Sequence, residues 1–436
     1  MAASQQSRSG STTYPLLLIV LFMLPLFTAV AHAQTFTVLH EFTGGADGSR
    51  PGTNLVMDGR GNLYGTTAAN PPNGFGGVFE LTKHGSSWVL STLYVFSGSD
   101  GTGPTTLIRG SDGNLYGTSS AGGGGGPCGG LGCGSAFRLT PPPTACKSVS
   151  CPWSLTVLHH FTGQADGGDP LGQLVERNGN LYGTTRFGGD TQDCPGEGGG
   201  CGVVYELSPS QGGWMETVLY TFHPEPDGTY PYGGVVFDPA GNLYGTTSNG
   251  GTFNNGTVFE LSPSDSGWTE TILYNFGINL GLHGKIPYGG LVRDSAGILY
   301  GPTNDGGSFN TGTIFSLAPM NGGWTENVLY SFDYIYGDGN PLFASLILDG
   351  SGNLYGTSPG EGGLPDPVQY FGNVFMMTPS NGGWNYINLY TFTGGADGGF
   401  PFSTPIMDSS GNLYGTTAEY GSGCFGGCGV VWEITP

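Results

Sequence analysis

The chain is 436 residues long, 12% aromatic and only 10% charged, with 11 basic residues against 32 acidic ones and a formal net charge of −21. A surface so acidic repels a phosphate backbone, which makes nucleic acid an unsuitable partner. Recurring aromatic and β-branched runs argue against disorder, and the 85 glycines between them indicate many short strands joined by tight turns.

The first segment has a polar start with Arg8, an apolar run from Leu16 to Val30, and Ala31 and Ala33 around His32. That order predicts a secretory signal peptide over 1–33, cleaved after Ala33. The apolar run contains Pro25 and is shorter than the roughly 20 residues that span a bilayer, with an uncleaved anchor as the alternative. No comparable segment follows, so no membrane span is expected once the signal is removed. Pro436 comes directly after a strand-like VVWEIT, so no C-terminal anchor is expected either. Residues 34–436 are expected to form a single domain, secreted, periplasmic or at the surface of a bacterium, and monomeric.

From there one phrase recurs seven times, GNLYGTT or a variant, with its tyrosine at Tyr64, Tyr116, Tyr182, Tyr244, Tyr300, Tyr355 and Tyr414. Repetition at this period marks stacked supersecondary units that bury their apolar faces only against each other. In the fourth copy the unit reads YGGVVFD, PAG, NLYGTT, a Gly/Asn loop, GTVFELS, PSDSG, WTETILYNF. Four strand-like runs, A to D, lie between turn signals, and A and B form a tight hairpin. The C and D runs are apolar or aromatic at consecutive positions, which predicts burial on both faces. Four strands per unit, repeated seven times with loops of varying length, describe an all-β, seven-bladed β-propeller. The ends fit this: residues 35–42, TFTVLHEF, are a D run with no A, B or C before it, and the last unit lacks a D run. The N-terminal strand is therefore expected to complete the last blade and close the ring.

Eight cysteines fall in close pairs, Cys128 with Cys133, Cys146 with Cys151, Cys194 with Cys201, and Cys424 with Cys428. Local disulfides are the simplest connectivity, though others are possible, and a zinc site is the alternative. Each such short loop would contribute about 2 kcal/mol, stiffening loops more than holding the fold.

Two acidic columns recur. One follows strand A, at Asp58, Asp238, Asp294, Asp349 and Asp408, with Glu176 in the third copy and Gly110 in the second. The other is an Asp-Gly between D and A, at Asp47, Asp100, Asp166, Asp227, Asp338 and Asp397, replaced by His283-Gly284 in the fifth unit. Turn formation accounts for acids needed in nearly every blade, and no cofactor is expected; calcium on the Asp-Gly column is the alternative. The tyrosines are expected to pack between blades, their hydroxyls bonded to threonines or a neighbouring turn. No catalytic constellation stands out: His40, His84, His159, His160, His223 and His283 form no ligand-spaced cluster. Departures from the repeat, at Glu176, Arg177, Arg293, Lys285 and Pro302, are where an assembled site would be sought. The B–C and D–A connections emerge on one face, which gathers six cysteines, the Gly-rich insertions 119–134 and 186–202, the Pro-rich segment 359–371 and the Asp-Gly column.

The combination LVxDxxGNLYGTT, GTVFxL and LYxFxGGxDGxxP, repeated through residues 35–436, resembles the bacterial GloVer-type (choice-of-anchor) tandem-repeat family, and its hairpin resembles the shorter NHL-type propeller repeat. The first resemblance implies an exported repeat protein without assigned activity, and it supplies no catalytic residue. The function expected is a non-enzymatic binding or interaction module whose partner is an extracellular polymer or protein. The alternative is a metal-assisted propeller lactonase, lyase or glycan hydrolase with its site at the channel mouth.

Overall fold

The computed structural model describes Met1 and residues 34–436 apart from 53, 71–73, 126, 129, 144–151, 193, 195–198, 278–282, 321, 334–344, 361–369 and 425–426. The expected signal segment, Cys146, Cys151, Asp338 and most of 359–371 lie outside the described residues.

Seven four-stranded antiparallel sheets follow one another, each in the order A-B-C-D, with no helix among the described residues. Blade 4 is representative: Val236–Phe237, Leu243–Thr247, Thr257–Ser264 and Gly267–Asn275. The A–B hairpin carries Asp and Gly for a reason visible in its backbone. Gly61 has φ of 83° and donates to the Asp58 carbonyl while the Asp58 N–H donates to the Asn62 carbonyl, a turn followed by a left-handed residue. Blade 3 is one residue shorter there, and both Asn178 and Gly179 take positive φ.

Strand C is the buried centre of each blade, as expected. Strand D is not buried on both faces: Gly213–Thr221 alternates exposed and half-buried positions, and so do its counterparts. It is the outermost strand, so only one face meets a neighbouring blade. In blade 4 the register slips between Val258 and Phe259 opposite the leucine of LYxF, and the same slip recurs in the other blades. Such a bulge increases the twist of the outer hairpin.

The phenylalanine ending each D run packs against the strand C aromatic of the next blade, edge-on in six pairs and tilted at Trp432. These pairs are Phe42–Phe79, Phe96–Phe137, Phe161–Tyr205, Phe222–Phe259, Phe276–Phe315, Phe332–Phe375 and Phe392–Trp432. Room for that aromatic comes from the glycine of LYGTT: a Cβ on Gly65 would lie 2.5 Å from Phe79 Cζ.

The ring closes as the incomplete ends predict. Thr35–Glu41 pairs antiparallel with Val430–Thr435, from Thr35 opposite Thr435 to Glu41 opposite Val430. A second feature treats the 7–1 junction like the others. The residue before each blade's entry proline takes left-handed φ of 55–59° at Arg50, Asp169, Tyr230, Ile286 and Phe400. Its N–H donates to the preceding blade, Tyr230 to the Cys201 carbonyl and Arg50 to the Cys428 carbonyl, both at 2.9 Å. The proline itself lies over the glycine that opens the preceding strand C, Pro231 over Gly202 and Pro51 over Gly429. Gln34–Pro436 thus forms one compact unit.

Candidate functional site

The described aspartates of both acidic columns are engaged by their own turns. Asp238 accepts from the N–H groups of Gly241 and Asn242, from Asn242 Nδ2 at 3.0 Å and from the Tyr244 hydroxyl at 3.3 Å. Asp58, Asp349 and Asp408 repeat the asparagine and tyrosine bonds, and Asp294 accepts from the Ile298 N–H and the Tyr300 hydroxyl, with isoleucine in place of the asparagine. Where Gly110 breaks the column, Asp112 caps instead, bonded to Asn114 and to the Tyr116 hydroxyl. Glu176 crosses to blade 2, accepting from the N–H and hydroxyl of Ser111. The repeat tyrosines also pack between blades: Tyr64 meets Trp153 and Tyr300 meets Trp384 of the next blade.

In the Asp-Gly column, Asp47 accepts from the Thr43 N–H and hydroxyl and pairs with His40 at 3.2 Å. Asp166 has the same partners in Thr162 and His159. Asp397 accepts from Thr393 and the Tyr390 hydroxyl, Asp100 from Ser97 and the Tyr94 hydroxyl, and Asp227 from His223 and the Tyr220 hydroxyl. Burial raises the Asp47 and Asp166 carboxyls, but the threonine and histidine donors outweigh it and hold both below the ordinary value. Each carboxylate serves its own loop. Among the described residues no three His, Cys, Asp or Glu side chains converge as metal ligands.

Among the described residues three disulfides are formed, Cys128–Cys133, Cys194–Cys201 and Cys424–Cys428. They sit in B–C loops against the D–A loops: Gly163 faces both Cys128 and Cys133 sulfurs, and Gly44 faces Cys428. Stapled loops and Asp-Gly turns therefore share one face.

A cavity of about 540 Å3 occupies the centre of the ring, lined by residues of all seven blades. That volume is in the range of small-ligand sites. Its walls are the chain segments entering strand A, which in blade 2 already belong to the strand, together with Ala68, Ser120 and Arg186 at the end of strand B, which places it toward the B–C face. Among the described residues, two guanidinium groups, Arg50 and Arg186, are the charged side chains of the lining. Tyr232, Tyr288 and Phe402 supply rings, Asn54 and Gln173 carboxamides, and glycine, serine and threonine most of the rest.

Its polarity follows from how the blades are bolted. The first threonine of LYGTT donates to a carbonyl of the next blade's entry segment: Thr184 to Gly233 at 2.9 Å, Thr246 to Gly289 at 3.2 Å, Thr357 to Ser403 at 2.9 Å. Thr105 likewise donates to the Pro170 carbonyl. Across blades 5, 6, 7 and 1, backbone N–H groups donate to side chains, each at 2.8 Å: Gly290 to Ser345 Oγ, Ser345 to Thr404 Oγ1, Thr404 to Asn54 Oδ1. Since only oxygen can accept an N–H, Asn54 must turn its Nδ2 away from that bond as a donor. These bonds engage part of the wall's acceptors in holding the ring together.

Arg186 Nη2 pairs with Asp169 at 2.7 Å, its Nη1 donates to the Tyr232 hydroxyl at 3.2 Å, and its guanidinium lies 3.9 Å from the Phe187 ring centre. Burial pushes the Asp169 carboxyl up to about 6, against the pull of Arg186. Arg50 Nη2 pairs with Glu419 at 3.2 Å, with the arginine side chain 63% exposed.

None of the singled-out departures lines the cavity. Arg177 ties to carbonyls of Asp238 and Pro239 in blade 4, Arg293 to Asp294, and Lys285 pairs with Asp305 at 3.3 Å. Pro302 removes the threonine bolt of blade 5, where the Gly290–Ser345 bond joins blades 5 and 6. Sequence reasoning did not single out the residues that do line it; Tyr232, Gly233 and Gly234 were read only as the start of run A. The available signal was the position after the entry proline, which varies as Gly52, Thr105, Leu171, Tyr232, Tyr288 and Phe402 between conserved-looking repeat neighbours.

Solved structures similar to this chain include a Dyadobacter fermentans protein of unknown function, 12% identical, covering 92% of this chain and 100% of that one, with a TM-score of 0.44. The phage phi92 endosialidase is 11% identical over 92% of this chain and 68% of its own, with a TM-score of 0.43. A Bacillus halodurans xylan β-1,4-xylosidase is 15% identical over 70% of this chain and 54% of its own, with a TM-score of 0.33. No curated protein matches the sequence. The profile of the Gloeobacter/Verrucomicrobia repeat matches residues 25–196 and 194–432, and with the repeated blades this shows that the chain belongs to the Gloeobacter/Verrucomicrobia repeat family.

Proposed function

We propose that this β-propeller is an exported, monomeric binding module of the bacterial periplasm or cell surface, that its ligand site is the central cavity, and that its partner is an extracellular polymer. The observation carrying the reading is the cavity lining: guanidinium, carboxamide and hydroxyl groups beside three aromatic rings, a set that orients a ligand. Stapled loops on the same face and a rigid ring beneath them suit recognition. Disulfides also suit an oxidising compartment. The reading needs no cofactor.

Affinity electrophoresis of the purified protein through gels of different polysaccharides tests it. Retardation by at least one polymer, lost in the Tyr232→Ala/Tyr288→Ala variant with unchanged circular dichroism, is the expected result. Retardation that survives the double substitution places the site elsewhere. New reducing ends accumulating in the polymer favour the glycan hydrolase alternative.

A further inference from the structure

Resting on the reading of the cavity as a binding site, we propose that its occupant is an anionic saccharide, a uronic-acid-bearing glycan whose carboxylate meets Arg50 and Arg186 and whose ring faces lie on Tyr232, Tyr288 and Phe402. The chain has only 11 basic residues against 32 acidic ones, yet the charged side chains lining its central cavity are both arginines. Two of so few cations meet there, and guanidinium is the group whose fork matches a carboxylate.

Hydrogen-bond bookkeeping points the same way. Carbonyls of the entry segments accept from Thr184, Thr246, Thr357 and Thr105, and the oxygens of Ser345, Thr404 and Asn54 accept backbone N–H groups. Of the lining groups, the guanidinium N–H groups and the Asn54 amide hydrogens are donors only, beside the Gln173 carboxamide and the tyrosine hydroxyls, which can also accept. A carboxylate brings acceptors alone. Asp169 and Glu419 each hold one guanidinium nitrogen and so fix the two arginines in place, offsetting part of their charge. The rings separate a sugar from an acidic peptide, because the C–H face of a pyranose lies flat on an aromatic ring.

Isothermal titration of the full chain with trigalacturonate, a neutral galactose trisaccharide and hexaglutamate distinguishes these ligands. Trigalacturonate is expected to bind, to weaken with added salt, and to exceed the other two by at least about tenfold, with Arg50→Gln reducing its affinity about tenfold. Arg50 is exposed enough for that variant to fold, and circular dichroism checks it. Equal affinity for the neutral trisaccharide overturns the anionic class while leaving the cavity reading standing. Equal affinity for hexaglutamate replaces the glycan by a peptide, and an unaffected Arg50→Gln or no binding of trigalacturonate also overturns the proposal. Trigalacturonate binding that is unchanged in Tyr232→Ala/Tyr288→Ala removes both readings together.

Discussion

Tyr205 shows what one hydroxyl does at a repeated position. Its counterparts are Phe79, Phe137, Phe259, Phe315 and Phe375, with Trp432 in blade 7, all fully buried between strands. The Tyr205 hydroxyl is buried without a hydrogen-bond partner, in a space that the phenylalanine blades leave to carbon. A buried polar group left unpaired costs about 1–3 kcal/mol. Tyr205→Phe is therefore expected to stabilise the protein by about 1 kcal/mol, read as a higher urea midpoint with unchanged m-value. At this scale the sequence was legible where chemistry repeats. Tyrosine, aspartate and asparagine of DxxGNLY recur together because one carboxylate satisfies the turn and the tyrosine at once. The cavity residues were not legible, since Arg50 and Arg186 recur nowhere else and only the closed ring brings them together.

Between elements, strand D of each blade lies against the D–A loop of the blade before it, and the residue two places after its tryptophan decides the contact. That residue is Leu90 in blade 1, Tyr386 in blade 6 and Phe36 in the N-terminal strand, but Glu216 and Glu270 in blades 3 and 4. Glu216 faces His159 and Asp166, Glu270 faces Asp227, and in each carboxyl Oε1 is buried without a partner. Burial pushes both up to about 7 from an ordinary value of 4.5, helped by the neighbouring aspartates, with His159 opposing at Glu216. Because the folded values are raised, the stability tied to the protonated forms is complete below about pH 4.5 and is lost as pH rises through about 7. Urea unfolding should show a higher midpoint at pH 5.5 than at pH 8, and Glu216→Gln/Glu270→Gln should flatten that difference; an equal slope in the variant removes the assignment. Periodicity alone predicted D strands buried on both faces. It could not tell an outer strand from an inner one, because WxxxxLYxF is apolar enough for either.

For the whole molecule, the complementary ends of the chain were the most informative reading of the sequence, and the structure pairs them. Closure also makes the cavity: Arg50 and Asn54 of blade 1 meet Glu419 and Thr404 of blade 7 across the junction that the first strand completes. Hydrogen exchange over residues 35–42 measures this directly. The account predicts that the amides bonded to Val430–Thr435 exchange as slowly as those of that strand itself, opening only with global unfolding. Exchange of this segment at the rate of a free chain, while Val430–Thr435 stays protected, would contradict the closed ring and the site it builds.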